Sequence, residues 1–581
     1  MFARVITSKG NQYLNIIETY REGKKVKQKV VANLGRVDEL KISSIEKLAQ
    51  KLLDIVDSPK SVDDSPTPNI EELERYNYGF VIYRNIWNRL GLDDILDSLV
   101  VNKNISYDFK NVIFSMVVDR LLKPKSKLAL FGNKEDYLAI NDELQLNHIY
   151  RALDILSTHK ITIEQALFDK NKNLFNISTD IVFYDVTTFY YESKEENDLK
   201  KFGYSKDGKF GDVQVVMGLL IDKNGLPIGY ELFSGNTFDS KTMLRVLDNL
   251  KGKFNLENVV IVADRGLNSK INLKYIKEAG YDYLMASKIK SISKSMKDKI
   301  LDKKSYTNII KASDSEEGLY AYKSLEYDNV VKYDEESIDK DTGEVTTQKQ
   351  TITLKEKLVC TYSDKRARKD YHDRARGLEK ANKIIQANQK SSIISTRSHK
   401  KYIQKINNQE DENCSDFAMG MDWLKIKEQQ RYDGFYAITT SKLDLDPFEV
   451  IQNYRNLYKI EDSFRVLKST FNTRPIFHHK EDRIEAHFII CFLAFMIERD
   501  LEIRLKKSKS FQEQTITPNR VREALNSLEL SKIKVDNKTL YMKSNHSNNK
   551  DKLKFAKNIM RFLHIKQLKN LSTKEELAYL F

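Results

Sequence analysis

The spacing of apolar and polar positions changes along the chain, and the first change marks the end of a small N-terminal unit. Strands are predicted at Tyr13–Glu18 and Lys25–Val31, and a helix is predicted at about Ile45–Val56. Residues 58–69 hold three of the chain's eight prolines, which indicates a linker. The pattern therefore predicts a hairpin-and-helix unit at 1–57.

Residues 70–177 repeat apolar positions three and four apart, which is typical of helices. From Ser178 short β-branched runs take over. The predicted elements are, in order, strands at Ile181–Val186, Val213–Ile221 and Pro227–Phe233, a helix at Ser240–Leu250, a strand at Val259–Ala263, a helix at Ser269–Ala279 and a strand at Tyr281–Met285. Three meandering strands followed by alternating helices and strands is the element order of an RNase H-like core.

About 160 residues then separate this core from its next helix. Strand-like alternation recurs at Leu319–Leu325, Thr347–Thr361, Phe417–Ile426 and Phe435–Thr440, and a charged helix is predicted at Lys365–Gln389. Helical spacing returns at Phe448–Ser469. The predicted fold is mixed α/β: an RNase H-like core at 178–286 and 446–505, a β-rich insertion at 287–445, and a lysine-rich helical C-terminal region at 506–581.

The composition and net charge of the chain indicate what kind of partner it binds. The 581 residues suggest three to four domains, and 97 Lys and Arg against 83 Asp and Glu give a net charge of +14. Such a balance favours nucleic acid as partner, although a generally lysine-rich proteome is the alternative. The three cysteines are far apart, which indicates neither a zinc site nor a disulfide framework. With no signal peptide, and an apolar run at Phe488–Ile497 too short to span a bilayer, we expect a cytoplasmic, nucleoid-associated protein without a membrane contact.

Two aspartates stand where predicted strands end. Asp185 closes an apolar strand in IVFYDVTT, and Asp264 follows the fourth core strand in VVIVADRG. In an RNase H-like sheet these strands are adjacent and parallel, so both carboxylates would emerge side by side. Two divalent cations held by carboxylates can stabilise the attacking and leaving oxygens of a phosphodiester. For either aspartate alone, a structural role at a strand end is the alternative.

Glu461 is predicted as the third carboxylate. On a helix with 100° per residue, Tyr454, Tyr458, Arg465 and Lys468 fall with Glu461 inside an arc of about 80°. A stripe with one carboxylate, two cations and two tyrosines can face both metal and phosphate. The alternative is an ordinary amphipathic helix with a Glu-to-Arg pair four residues apart.

These residues resemble the DDE transposases of bacterial insertion sequences, in the branch with a β-strand insertion before the glutamate. Similar stretches are YDVTTFYYES (184–193), GYSKDGKFGDVQV (203–215), SGNTFDS (234–240), ADRGLNS (263–269) and RPIFHHKEDRIEAH (474–487). The branch carries a Tyr-Arg-Glu-Lys signature, which Tyr454, Glu461 and Lys468 match. Leu457 stands where the signature has Arg, and Arg455 and Arg465 are the alternative cations.

The resemblance implies a transposase that binds terminal inverted repeats of double-stranded DNA as a homodimer or larger assembly, and we expect the helical region 70–177 to be a DNA-binding region. It implies Mg²⁺ or Mn²⁺, two ions held by Asp185, Asp264 and Glu461, and a freed 3′ hydroxyl that attacks target DNA. Some members stack a flipped base on an aromatic side chain. Trp423 is a candidate platform, although a core or strand position is the favoured interpretation.

Further candidates for phosphate contact follow the two aspartates. They are Thr188, Lys206, Lys209 and Arg265, each with a plainer alternative as a strand, hairpin or loop residue. Two other functions stay open at this point. One is an RNase H-like nuclease without strand transfer, and the other is a non-catalytic DNA-binding protein descended from a transposase.

Overall fold

Strands and helices alternate through most of the chain. The computed structural model describes residues 2–8, 10–22, 25–38, 70–137, 144–175, 181–310, 318–338, 345–387, 398–406, 418–535, 538–544 and 550–577. The predicted helix at Ile45–Val56, the linker at 58–69 and Cys414 lie outside these residues.

The strands are β1 (Phe2–Ser8), β2 (Asn11–Glu22), β3 (Lys25–Arg36), β4 (Ile70–Asn77), β5 (Ile181–Tyr190), β6 (Gln214–Asp222), β7 (Pro227–Ser234), β8 (Val260–Ala263), β9 (Asp282–Ala286), β10 (Thr307–Ile310), β11 (Tyr320–Ile338), β12 (Val345–Ser363), β13 (Ile403–Ile406), β14 (Ala418–Met421), β15 (Phe435–Thr440), β16 (Glu529–Val535), β17 (Lys538–Ser544) and β18 (Leu571–Ser572).

The helices are α1 (Phe80–Leu90), α2 (Leu92–Ser98), α3 (Phe109–Leu122), α4 (Lys127–Gly132), α5 (Leu146–Ser157), α6 (Lys160–Phe175), α7 (Met243–Gly252), α8 (Lys270–Glu278), α9 (Lys294–Leu301), α10 (Asp364–Gln386), α11 (Trp423–Gln430), α12 (Pro447–Arg455), α13 (Tyr458–Arg465), α14 (Glu481–Lys507), α15 (Pro518–Asn526), α16 (Lys550–Phe562) and α17 (Lys574–Leu577). The mixed α/β class is confirmed, and β5 to β9 with α7 and α8 follow the predicted order β-β-β-α-β-α-β.

The chain divides into two compact units. The first unit comprises Met1–Ile177, Thr187–Asn236 and Glu461–Phe581, and the second comprises Ser178–Val186 and Thr237–Ile460. The division falls inside β5 and inside α13, so each of these elements contributes residues to both units.

A single sheet organises the second unit, with strand order β10-β11-β12-β15-β9-β8-β5. Strands β5, β8 and β9 are parallel, which includes the predicted pairing of β5 with β8, and β15 pairs antiparallel with β9 through Ile438 and Ala286. Strands β11 and β12 form a long antiparallel ribbon from Tyr320–Ser363 to Ile338–Val345. The β-rich insertion therefore extends the core sheet outward from β9.

The core of the first unit is built around α14. Its residues Phe488 to Ile497 are all buried, and the helix packs against α3 and α5. Tyr83 donates a hydrogen bond to Glu498 at 3.0 Å, and Arg89 lies 2.9 Å from Asp500, so the buried charges of α14 have partners. Among the described residues, no helix is long and apolar enough to cross a membrane.

Two predictions of helical structure in this unit are wrong. Ile70–Asn77 is strand β4, and part of the C-terminal region forms β16, β17 and β18. These strands make one antiparallel sheet in the order β18-β17-β16-β4. Lys532 faces Glu74 across β16 and β4 at 3.0 Å. The pairing joins segments more than 400 residues apart, which local spacing does not reveal. Strand β1, beside β2, was also not predicted.

A buried carboxylate holds the middle of the second unit's sheet together. Glu356 on β12 is almost fully buried and accepts hydrogen bonds from Tyr327 at 2.5 Å, Asn329 at 3.0 Å and Thr439 at 2.8 Å, and also from Tyr283. Burial and the nearby carboxylate raise the pKa of both tyrosines, so their hydroxyls stay protonated and donate. Glu356 thus connects four strands through side chains.

We expect Glu356→Ala to lower the free energy of unfolding by roughly 3 kcal/mol or more, because each unsatisfied buried polar group costs about 1–3 kcal/mol. Urea unfolding followed by circular dichroism measures this. Glu326→Ala, at an exposed position on neighbouring β11, is the matched control and should change stability by less than about 0.5 kcal/mol. Equal unfolding midpoints for the two variants would contradict this role of Glu356.

Candidate functional site

Asp185 and Asp264 lie at equivalent positions of two neighbouring parallel strands. The register of β5 and β8 runs from Ile181–Val260 to Tyr184–Ala263, so the aspartates follow as the next pair. The four residues before each aspartate are buried, whereas Asp185 is half-buried and Asp264 is exposed. The parallel pairing predicted from sequence is present, and it gives the two aspartates neighbouring positions at the same end of the strands.

A chain of two tyrosine hydroxyls ends on the Asp264 carboxylate. The Tyr454 hydroxyl donates to Oδ1 of Asp264 at 3.3 Å, and the Tyr436 hydroxyl donates to that of Tyr454 at 2.8 Å. Burial, reinforced by Tyr436 and Asp264, raises the pKa of Tyr454, so its proton stays available for the carboxylate. Tyr436 belongs to β15 of the insertion and was missed from sequence, because alternation along a strand does not show which residue faces a site.

The loop after Asp264 is fixed by its own hydrogen bonds. Leu267 N donates to the Asp264 carbonyl at 3.0 Å, and the Asn268 side chain donates to the Ala286 carbonyl at 2.8 Å. Ser269 caps α8 by accepting from Asn272 N. Arg265 is exposed within this fixed loop and lines a cavity of the second unit.

The helix that carries Glu461 is shorter than predicted. Helical spacing over Phe448–Ser469 suggested one helix, but the structure has α12, a break at Asn456 and Leu457, then α13 and a π-helical turn at Val466–Thr470. Tyr454 therefore belongs to α12 and Lys468 to the π-helical turn, so the predicted single stripe is wrong for these two residues. A continuous helix was predicted because apolar spacing persists across the break.

Glu461 lies exposed in the first turn of α13, on the same helix as Tyr458 and Arg465. Tyr458 is 60% exposed, and Arg465 pairs with Asp462 at 2.6 Å. Residues three and four apart share a helix face, so Tyr458, Glu461 and Arg465 keep the predicted common face. Leu457, at the signature's Arg position, is buried in the break, and Arg455 lies over the Tyr320 ring at 4.8 Å.

In the first unit, four of the predicted phosphate contacts lie in or next to a loop anchored by Asp207: Thr188, Lys206, Lys209 and Lys468. The Thr188 hydroxyl is buried and accepts from Lys206 N at 3.2 Å. The Asp207 carboxylate accepts from Lys468 Nζ at 3.2 Å and pairs with Arg474. Burial lowers the pKa of Lys468, and Asp207 opposes that shift.

Asp207 and Arg474 were missed as site residues, although both lie in stretches that resemble the family. Lys209 Nζ lies 5.4 Å from the centre of the Tyr190 ring, and the Arg474 guanidinium is 5.7 Å from the same ring. The basic loop is therefore tied down by an acidic residue and an aromatic residue. A single Asp among lysines gives no sequence signal for this role.

Trp423 occupies the start of α11 and is 62% exposed, so the favoured interpretation as a core or strand residue is wrong. A strand was predicted at Phe417–Ile426, of which Phe417 lies outside the described residues. Among the others, Ala418–Met421 forms a strand, and a helix follows because Asp422 caps it by accepting from Lys425 N. Trp87, in contrast, is fully buried.

Carboxylate oxygens at strand ends are the donor set that Mg²⁺ and Mn²⁺ prefer, so Asp185 and Asp264 fit a hard divalent cation. Within the described ranges, no group of three or more His, Cys, Asp or Glu side chains is arranged to hold a metal ion. The register gives Asp185 and Asp264 neighbouring positions, and the metal-binding roles of Asp185, Asp264 and Glu461 stay predictions.

Comparison with known proteins defines the class. A family model described as the transposase DDE domain matches residues 177–497, which include Asp185, Asp264 and Glu461. Because this match covers more than half of the chain, the protein belongs to the DDE transposase family. A second model, the N-terminal domain of IS1634 family transposases, matches residues 3–60. The resemblance to insertion-sequence transposases is confirmed.

Among solved structures, the chain is similar to the Mos1 transposase paired-end complex with left transposon end. The sequences are 12% identical, the match covers 42% of this chain and 67% of the other, and the TM-score is 0.14. No curated protein matches the chain.

We expect Tyr454→Phe to slow DNA cleavage by about tenfold, because a hydrogen bond to a charged group contributes roughly 1.5–3 kcal/mol and this one is long. Tyr436→Phe removes only the donor behind Tyr454 and should have a smaller effect. The measurement is the initial rate at which each variant cuts one strand of a labelled DNA duplex. Tyr371→Phe, at an exposed position of α10, is the control. The assignment fails if Tyr454→Phe cuts as fast as Tyr371→Phe.

Proposed function

We propose that the protein cuts DNA at the ends of an insertion sequence and joins the freed 3′ hydroxyls to target DNA. The observation that carries this proposal is the parallel register of β5 and β8, in which Asp185 and Asp264 are the next pair after Tyr184 and Ala263, within the matched DDE domain. Glu461, in the first turn of α13, is the third member of the catalytic set.

Asp185, Asp264 and Glu461 would hold two divalent cations, Mg²⁺ or Mn²⁺. Such ions, when bound, stabilise charge on the attacking and leaving oxygens of an in-line displacement. The chain's own residues provide the rest. Tyr454 fixes the Asp264 carboxylate in one orientation through its hydrogen bond, so the donor atom is held before DNA arrives.

Each unit carries cations that would contact the DNA backbone. Arg265 follows Asp264 in the fixed loop, and Arg465 shares the face of Glu461 and Tyr458. Lys206, Lys209 and Lys468 belong to the Asp207-anchored region, and Thr188 holds that loop in place through its hydroxyl. Lys468 already donates to the Asp207 carboxylate, so its ammonium group would contact the phosphate and Asp207 together.

The partner is double-stranded DNA, both the element's ends and the target. The net charge of +14 supports this, since lysines and arginines release counterions from DNA phosphates. We place the protein on the nucleoid in the cytoplasm, where it works as a homodimer or larger assembly, because both ends of an element must be cut and joined together.

We expect Asp185→Asn, Asp264→Asn and Glu461→Gln each to abolish cleavage and joining with Mg²⁺, since each change removes a charged oxygen donor at nearly constant shape. DNA binding without divalent metal should stay within about twofold, because phosphate contacts come from cations. Labelled duplex carrying the element's end, analysed on denaturing gels for exposed 3′ hydroxyls and joined products, measures both steps.

The matched controls are Asp248→Asn on α7 and Glu449→Gln on α12, both at exposed positions. Each should cut like the unmodified protein. Normal cutting by any of the three test variants would remove that residue from the catalytic set. Cleavage by the unmodified protein without joined products would favour a nuclease instead.

A further inference from the structure

A cavity of about 460 Å³ lies in the second unit, next to the loop that follows Asp264. Arg265 and Lys290 line it from the loops after β8 and β9, and Arg366 and Arg374 line it from α10. Lys401, just before β13, contributes another side. Five cations and three carboxylates face this space, so its lining is basic.

Each of the three carboxylates already has a partner. Asp433 accepts two hydrogen bonds from Arg374, at 2.5 and 2.6 Å. Asp370 accepts from Gly434 N at 3.0 Å and lies 3.8 Å from Arg366. Asp373 pairs with Arg376, which does not line the cavity. The acidic side chains are therefore satisfied without the remaining cations.

Three cations of the lining are left over. Within the described ranges, Arg265, Lys290 and Lys401 form no ion pair with a carboxylate. Partial burial lowers the pKa of Lys290, and Lys401 and Arg265 lower it further, opposed by Glu428 and Asp433. Three cations that repel one another around an open space favour an anion between them.

The aromatic side chains of the cavity are engaged by cations. Arg366 lies 4.4 Å from the centre of the Tyr436 ring, Lys290 lies 5.2 Å from that of Tyr432, and Lys401 lies 4.8 Å from that of Tyr402. Cations over aromatic faces are held in place by the ring quadrupole. These rings therefore position the charges, which favours a phosphate over a stacked base as the ligand.

We propose that Arg265, Lys290 and Lys401 form a binding site for a backbone phosphate of a DNA strand. This inference rests on the proposed function and names one surface that would receive the substrate. Its place in the fold supports a strand, because Arg265 directly follows Asp264, and Tyr436 in the lining is linked through Tyr454 to the same carboxylate. A phosphate here would lie next to the loop that follows Asp264.

The test is the affinity of the full-length protein, without divalent metal, for a labelled single-stranded oligonucleotide over a range of salt concentrations. Lys290→Gln/Lys401→Gln should bind at least several-fold more weakly than the unmodified protein. The slope of log affinity against log salt should become shallower by about 0.7 for each phosphate that is no longer neutralised by a lysine. The control Lys369→Gln/Lys380→Gln removes the same charge from exposed positions of α10 outside the cavity and should change binding little.

Lys290→Arg/Lys401→Arg keeps both charges and should restore binding, which separates loss of charge from loss of folding. Equal weakening in the two glutamine pairs would overturn the site, because bulk charge would then explain the effect. The assignment to a DNA strand would be overturned if Lys290→Gln/Lys401→Gln weakened the binding of inorganic pyrophosphate but left the affinity for the oligonucleotide unchanged.

The two proposals fail in different assays. If the glutamine pairs bind alike while the unmodified protein cuts and joins DNA ends with Mg²⁺, the phosphate site is wrong and the transposase reaction stands. If the unmodified protein neither cuts nor joins, the proposed reaction is wrong, whatever the oligonucleotide affinities are.

Discussion

The parallel pairing of β5 with β8 is the constraint on which the candidate site depends. Register in a sheet fixes which residues lie side by side, and a slip of one residue turns each side chain to the opposite face. Here four buried residues precede each of Asp185 and Asp264, so a slip of either strand would bury a carboxylate or expose an apolar residue. The site is therefore held by the hydrophobic effect acting on neighbouring strands.

The insertion builds on the same sheet. Since β15 pairs with β9, which is parallel to β8, Tyr436 lies two strands from Asp264, and α12 follows β15 directly. That arrangement brings the Tyr436 and Tyr454 hydroxyls into a chain that ends on the Asp264 carboxylate. The insertion thus contributes to the candidate site, because its Tyr436 donates to the tyrosine that contacts Asp264.

Sequence alone predicted the parts of this arrangement that depend on local pattern. Strands β5, β6, β7 and β8, and the aspartates at the ends of β5 and β8, follow from apolar runs that end abruptly in a polar residue. The pairing of β4 with β16 could not be predicted, because β4 is rich in charged residues and owes its extended form to a partner far along the chain. The break at Leu457 was missed for a different reason, since a buried leucine continues the apolar spacing of a helix.

Charge is the property that the sequence describes least well, because lysines and arginines with different surroundings look alike in it. Lys468 matches the family signature, yet it is largely buried and already faces Asp207. In the sequence Arg374 resembles any other basic residue of α10, yet in the structure it forms an ion pair with Asp433. Arg265, Lys290 and Lys401 carry the same formal charge without a carboxylate partner among the described residues. A net charge of +14 therefore says how strongly a polyanion is attracted, while the pattern of ion pairs decides where its phosphates can be received.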